Sequence, residues 1–567
     1  MKQNYLTRIR VISICVFFFA ILIIGRLYWL QVVQSGLYID KADRQYSSSA
    51  KTIFSRGSIF FQNKDGSLVS AATLKSGFTI AINPKILKNP EEVYKRLNEL
   101  IPTDHDIFIA KATKTNDPFE EIANKVDPDS GQKIIDLKIS GLQAIKERWR
   151  FYPGGDTASH IVGLLGYQGD ELAGRYGLER QFDTQLARKD GAFVNFFAEI
   201  FSNIKSSMAT TSENEADIVT TIEPTVQSQM QTVLKSTKEK WNADSIGGII
   251  MNPFTGEIFA MESSPTFDPN DVSSEKDVSV FSNPLVENVY EMGSIIKPLT
   301  VSAGIDAGVI TATSTYYDSS FVIVNNQKLK NFDDKVRGVV GIQDLLSQSL
   351  NVGAVHVETL LGNDRFTKYM YAFGLNQKTG IDLPNEGRSL VENLKSPRDI
   401  EHATAAFGQG IALTPIATIR ALSAVANGGT LPNPHVVKTI NYTIGVSKNT
   451  PITASPRVIG AKVSEDVSRM LVHSVDKVLM GGTLKIPNYS VAAKTGTAQI
   501  AKAGGGGYTD EVLHSFIGYF PAYNPKFIVL FYMIDPKGAR FGSETLTVPF
   551  MDTVKFLINY YEVHPDR

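Results

Sequence analysis

The distribution of apolar residues along this 567-residue chain changes character several times. Residues 11–25, VISICVFFFAILIIG, are almost wholly apolar, and RLYWL carries the run to about residue 30. That is close to the ~20 residues a helix needs to cross a bilayer. Residues 32–55 are polar and mixed. From 56 to about 205, short alternating runs such as GFTIAIN predict strands, and PEEVYKRLNELI predicts a helix. The stretch 206–217, SSMATTSENEAD, is polar and has no period, as a surface loop or linker would. IVTTIEPTVQSQMQTVLKSTKEKW then predicts a strand followed by an amphipathic helix. SIGGIIMNPFTGEIFAM predicts a hairpin, and LHSFIGYFPAYNPKFIVLFYMID predicts two more strands around PAYNPK. Residues 290–480 read as mainly helical. A sheet assembled from both ends of a domain with helices between them is an α+β, layered arrangement.

Charge gives the first run a direction. Lys2, Arg8 and Arg10 precede it, Arg26 can snorkel, and Tyr28 and Trp29 suit an interfacial belt. No small-x-small cleavage site follows, so a retained anchor is expected rather than a removed signal peptide. The expected organisation is a cytoplasmic tail at 1–10 and a single transmembrane anchor at 11–31. An extended pedestal at 32–205, a linker at 206–220 and a larger domain at 221–567 follow, all outside the cytoplasmic membrane.

Composition narrows the classes. At ~150 residues per domain, the length allows two to four domains. A hydrophobic content of 43% and a charged content of 20% suit a globular body, and a net charge of −1 offers no argument for nucleic acid. The one cysteine, Cys15, lies in the apolar run, so neither a disulfide framework nor a cysteine metal site is expected. The eight histidines show no metal-ligand spacing, and neither a metal nor a cofactor is expected. GGGG at 504–507 lacks a phosphate-loop context and reads as a loop between strands.

The candidate chemistry begins in EMGSIIKPLT. Ser294 and Lys297 are three apart and share a helix face. A lysine shielded from water has a lowered pKa and can take a serine proton, producing a nucleophile. Alone, the pair is more often a capping serine with an exposed lysine. SQSLNVGAVHVE adds Ser349-Leu350-Asn351 at a helix start, and VAAKTGTAQIA adds Lys494-Thr495-Gly496-Thr497 in a strand-like run. In a strand, Thr495 and Thr497 point to the same side, and Gly496 would let a ligand approach the backbone. Each motif alone is weak. Their order, with S-x-N about 55 residues after S-x-x-K and K-T-G about 145 further on, is the set of penicillin-binding proteins and β-lactamases.

The chain resembles the class B penicillin-binding proteins, bitopic peptidoglycan D,D-transpeptidases. Beyond the three motifs, the resemblance rests on SRGSIFFQNKDGSLVS, RFYPGGDTASHIVGLLGY, GRYGLERQFDTQLARKDG, IMNPFTGEIFAMESSPTFDPND, ATAAFGQGIALTPIATIRALSAVANGG and SFIGYFPAYNPKFIVLFYMIDPKG. It implies that Ser294 is the acylated nucleophile and Lys297 its base. Ser349 would relay protons, Asn351 would hold the substrate amide and Lys297, and Lys494 would set the electrostatics. Thr495, Gly496 and Thr497 would receive the substrate's terminal carboxylate, with the backbone N–H groups of Ser294 and Thr497 as an oxyanion hole. Arg150, Arg175 and Glu179 match positions where a structural ion-pair role is expected. Met292, Ala493 and Leu350 depart from the family's usual residues without removing a catalytic group, and FFQNKDG replaces the usual Asp-Arg turn.

The implied function is cross-linking of stem peptides in the bacterial wall, at the septum rather than the sidewall. β-Lactams would be covalent inhibitors, and a polytopic glycosyltransferase would be the partner that polymerises the glycan. Two other classes stand beside it. A β-lactam sensor or inactive scaffold would carry further membrane spans or lack a motif. A β-lactamase would need a dedicated deacylating base.

Overall fold

The computed structural model describes residues 55–567 apart from 115, 170, 189–213, 454–455, 503 and 505, with Phe19 before them. The expected anchor therefore lies, Phe19 apart, outside the described residues, as does most of the expected linker. Among the described residues no helix is long and apolar enough to cross a membrane.

Two compact units emerge. The first has its described secondary structure within 74–149. It holds the second half of the strand Leu68–Ile82, paired antiparallel with Glu120–Val126, and the helices Pro90–Asn98, His105–Ala112 and Pro128–Asp136. The apolar spacing expected for PEEVYKRLNELI places Val93 and Leu97 on the buried face of the first helix, against a core that includes Phe78, Ile80, Phe108 and Ile134. Asp104 and Asp127 start the other two helices by accepting from the backbone N–H of Ile107 and Ser130, each at 2.9 Å.

The second unit takes in 56–73, 150–189 and 201–567. Its main sheet has five antiparallel strands, β1 (Ser245–Met251), β2 (Ile258–Ser264), β3 (Ala492–Ala501), β4 (Tyr508–Phe520) and β5 (Phe527–Ile534), in the order β3-β4-β5-β1-β2. Both hairpins expected from the sequence are present, and they pair with each other through β5 and β1. β5 is buried along nearly its whole length, because helices cover both faces of the sheet. Pro224–Trp241 (α1) and Thr547–Tyr560 (α6) cover one face. On the other lie Lys297–Asp306 (α2), Asn351–Leu361 (α3), Pro415–Ala426 (α4) and Ala461–His473 (α5). The first eight residues of α2 are all buried, which makes it the central helix of that core.

Two regions differ from the sequence reading. The span 290–480 is not only helical. It contains a hairpin of Phe321–Val324 with Gln327–Lys330, turned at Asn325 and Asn326, both with positive φ. Thr315–Asp318 pairs with Gly338–Gly341, and Val437–Tyr442 pairs with Ala216–Thr220. This last strand begins inside the stretch read as a linker. The ion pair expected around Glu179 also has different members. Its carboxylate is fully buried between Arg56 Nε and Arg150 Nε, both at 2.6 Å, and Arg175 is not among its partners. Arg56 also reaches Asp183 at 2.8 Å, so two cations face two carboxylates.

Candidate active site

The nucleophile candidate sits in a turn that only glycine can build. Gly293 has φ 61°, and a Cβ there would lie 2.7 Å from the carbonyl oxygen of Thr497. Its N–H donates to Gly408 O at 3.0 Å, and a Cβ on Gly408 would collide with the Gly293 carbonyl. These contacts press the turn against the free edge of β3. Gly293–Ile296 is a 3-10 turn that runs directly into α2 at Lys297. Positions three apart eclipse in such a turn, so Ser294 and Lys297 share a side. Ser294 is half-buried, and within the described residues its hydroxyl makes no hydrogen bond.

Lys297 is 0% exposed. Its Nζ donates to Ser349 O at 2.7 Å and to Asn351 Oδ1 at 2.8 Å, with Ser349 Oγ at 3.3 Å. Burial lowers its pKa well below the ordinary lysine value, and the neighbouring Lys494 charge lowers it further. A neutral amine has two N–H groups and one lone pair. The two short bonds to carbonyl oxygens engage both N–H groups, which leaves the lone pair to accept a hydroxyl proton.

Ser349 lies between the two lysines. Lys494 Nζ donates to its Oγ at 2.9 Å and to Thr495 O at 2.8 Å. Ser349 holds φ 57°, a left-handed conformation in which a serine stores strain. Leu350 is extended, and α3 begins at Asn351. Lys494 is 4% exposed, and burial pushes its pKa down to about 7. The structure thus brings Lys297, Ser349, Asn351 and Lys494 into one hydrogen-bonded cluster, beside the turn that carries Ser294.

β3 is an edge strand of its sheet, so every second residue presents its backbone N–H and C=O outward. Thr495 O accepts from Lys494 and Thr497 O faces Gly293, which identifies these two as the outward-facing residues. The Thr497 N–H therefore opens toward the nucleophile turn. Thr497 Oγ1 accepts from Gly542 N at 3.0 Å, so its own proton remains free to donate to a carboxylate. Gly496 lies between Thr495 and Thr497 in the strand. A Cβ there would collide with Ser515 Oγ and lie 2.8 Å from Met292 O. Ser515 Oγ occupies that room and donates to Met292 O at 2.8 Å.

Sequence reasoning missed the support behind Asn351. Its Nδ2 donates to Lys330 O at 2.9 Å. The next residue, Asn331, accepts from the Val352 N–H at 3.1 Å and so caps α3 from another segment. Asn331 in turn donates to the buried Asp318 carboxylate at 2.8 Å. Arg337 lies 3.4 Å from the same carboxylate. The paired asparagines at 325–326, between two alternating runs, were the available signal for the hairpin that delivers Lys330 and Asn331. No group of histidine, cysteine and acidic side chains among the described residues could hold a metal.

Residues 246–553 match the penicillin binding protein transpeptidase domain, and residues 54–220 match the penicillin-binding protein dimerisation domain. Stage V sporulation protein D of Bacillus subtilis is 30% identical over 97% of this chain and 85% of its own length. The peptidoglycan D,D-transpeptidase FtsI of Escherichia coli is 24% identical over 95% of this chain and 89% of its own length. Among solved structures, penicillin binding protein 2X of Streptococcus thermophilus superposes with a TM-score of 0.73 at 20% identity, covering 90% of this chain and 81% of that one. Penicillin binding protein 3 of Mycobacterium tuberculosis in complex with aztreonam gives 0.68 at 22% identity, covering 91% and 98%. A dimerisation module ahead of a transpeptidase domain, with a buried lysine pair gathered around Ser349 and Asn351, places the chain in its family: it belongs to the class B penicillin-binding proteins, the serine-type transpeptidases.

Proposed function

We propose that this chain cross-links peptidoglycan stem peptides through an acyl-enzyme on Ser294. The observation that carries the reading is the Lys297 amine, buried and engaged by two carbonyl acceptors on the side it shares with Ser294. Lys297 accepts the Ser294 proton as Oγ attacks the penultimate D-Ala carbonyl. The backbone N–H groups of Ser294 and Thr497 stabilise the oxyanion, and the terminal carboxylate rests against Thr495, Thr497 and the charge of Lys494. Ser349, touching both lysines, passes the proton to the departing D-Ala amine. The acyl group then goes to an amine on a neighbouring strand. A β-lactam carries the same carboxylate and an activated amide, so it acylates Ser294 in the same way.

The membrane and partner parts of the reading rest on sequence and chemistry. The 11–31 run anchors the chain with its body outside the cytoplasmic membrane. The chain works beside a polytopic glycosyltransferase, because cross-linking needs glycan polymerised by another enzyme. The site of action is the septum. A spore-wall role is the second reading, favoured by the sporulation name of the relative at 30% identity. A fluorescent fusion separates them, at midcell in growing cells for the first and around the forespore for the second. The activity is tested with the full chain, a lipid-linked precursor and a glycosyltransferase. Cross-linked dimers should appear, and should disappear on adding penicillin. Glycan that stays uncross-linked in the absence of penicillin would contradict the reading.

A further inference from the structure

A transpeptidase must bring a third polar group to its serine, the acceptor amine, which is an ammonium ion in water at neutral pH. In this site the two ionisable side chains around Ser349 are both lysines, one held neutral and the other cationic, so neither offers an anion to such a cation. An anion at the rim would compensate. Glu291 is the acidic residue closest to Ser294 in the chain, three positions before it. It is only partly exposed. Tyr508 Oη donates to its two carboxylate oxygens at 3.3 and 3.1 Å. Tyr508 is the first residue of β4, paired with Ala501 at the end of the strand that carries Thr497. Within the described residues neither lysine nor arginine pairs with Glu291. Its neighbours orient the carboxylate without neutralising it.

The geometry points to Glu291 as the seat for the acceptor's ammonium group, with Tyr508 holding the carboxylate in position. The ammonium loses one proton to water, the neutral amine attacks the acyl carbonyl, and its next proton passes through Lys297 to Ser294 Oγ as the ester bond breaks. The inference rests on the transpeptidase reading and assigns Glu291 to the second half-reaction alone. It explains why a carboxylate stands partly desolvated beside the nucleophile turn without a protein cation. Burial raises its pKa from the ordinary value, the direction expected of an anion whose cation arrives with the substrate.

The test follows the partition of the acyl-enzyme, formed on the full chain in detergent from a D-alanyl thioester donor. Three nucleophiles compete: water, the ammonium-bearing Nα-acetyl-lysine amide, and hydroxylamine, which is uncharged at neutral pH. Glu291→Gln keeps the size of the side chain and its hydrogen bond from Tyr508. A charge-assisted hydrogen bond contributes roughly 1.5–3 kcal/mol, so the lysine amide concentration for half-maximal capture should rise about ten- to a hundredfold. Capture by hydroxylamine should change by less than about twofold on the same energetic argument. Tyr508→Phe should shift lysine amide capture in the same direction by less. Penicillin labelling of each variant reports an intact first half-reaction. If Glu291→Gln does not label, Tyr508→Phe carries the test by the same readout. Unchanged lysine amide capture, or an equal fall for hydroxylamine, would overturn the inference. Absence of an acyl-enzyme in the unmodified chain would instead overturn the transpeptidase reading beneath it.

Discussion

Lys297 Nζ lies 2.8 Å from Asn351 Oδ1, a neutral acceptor where a carboxylate of nearly the same shape would fit. The amide oxygen orients the amine without stabilising its protonated form. In Asn351→Asp the new anion favours the charged lysine. Penicillin acylation at neutral pH should then fall by the ~10²–10⁴-fold typical of losing a general base. The rising limb of the rate should move to higher pH. A variant that acylates normally at neutral pH would show that the Lys297 proton does not control the step.

The two lysines make acylation depend on pH in both directions. Lys297 must be neutral to accept a proton, so the rate should rise as pH passes its lowered pKa. Lys494 must stay charged to attract a carboxylate, so the rate should fall as pH rises through about 7. The resulting bell reports the pair, since both lysines contact Ser349. Lys494→Met should lower the rate and remove the alkaline limb. Stopped-flow acylation across pH measures both, and an alkaline limb that persists in Lys494→Met would assign it to another group.

Much of this was legible in the sequence because the signals are local. The hairpins at 245–264 and 508–534 announce themselves by apolar runs broken at Asn252-Pro253 and at PAYNPK. Ser294, Lys297, Ser349, Asn351, Lys494, Thr495 and Thr497 each sit in a short motif with fixed spacing. The unread parts depend on contacts between distant segments. Gly408 shapes the turn at Gly293 across more than a hundred residues, and Gly496 is set by Ser515 and Met292. Arg56 pairs with Glu179 through a buried contact that no periodicity encodes. The hairpin at 321–330 was obscured because its strands are short and their residues mostly exposed or half-buried.

Asn331 connects that hairpin to the site, accepting from Val352 N–H and donating to Asp318. Asn331→Ala removes a cap worth roughly 1–2 kcal/mol and leaves Asp318 short of a donor. Thermal unfolding should occur at lower temperature, and acylation should slow because Asn351 begins the uncapped helix. A variant with unchanged acylation and a lowered melting temperature would restrict Asn331 to stability.

The central claim is that Ser294 carries the acyl group while Lys297 takes its proton. Intact-protein mass spectrometry after penicillin treatment, followed by peptide mapping, reads this most directly. The account predicts one penicilloyl adduct on the peptide containing Ser294. The adduct should be absent in Ser294→Ala and should form ~10²–10⁴-fold more slowly in Lys297→Ala. An adduct that survives Ser294→Ala, or maps to a peptide without Ser294, would contradict it.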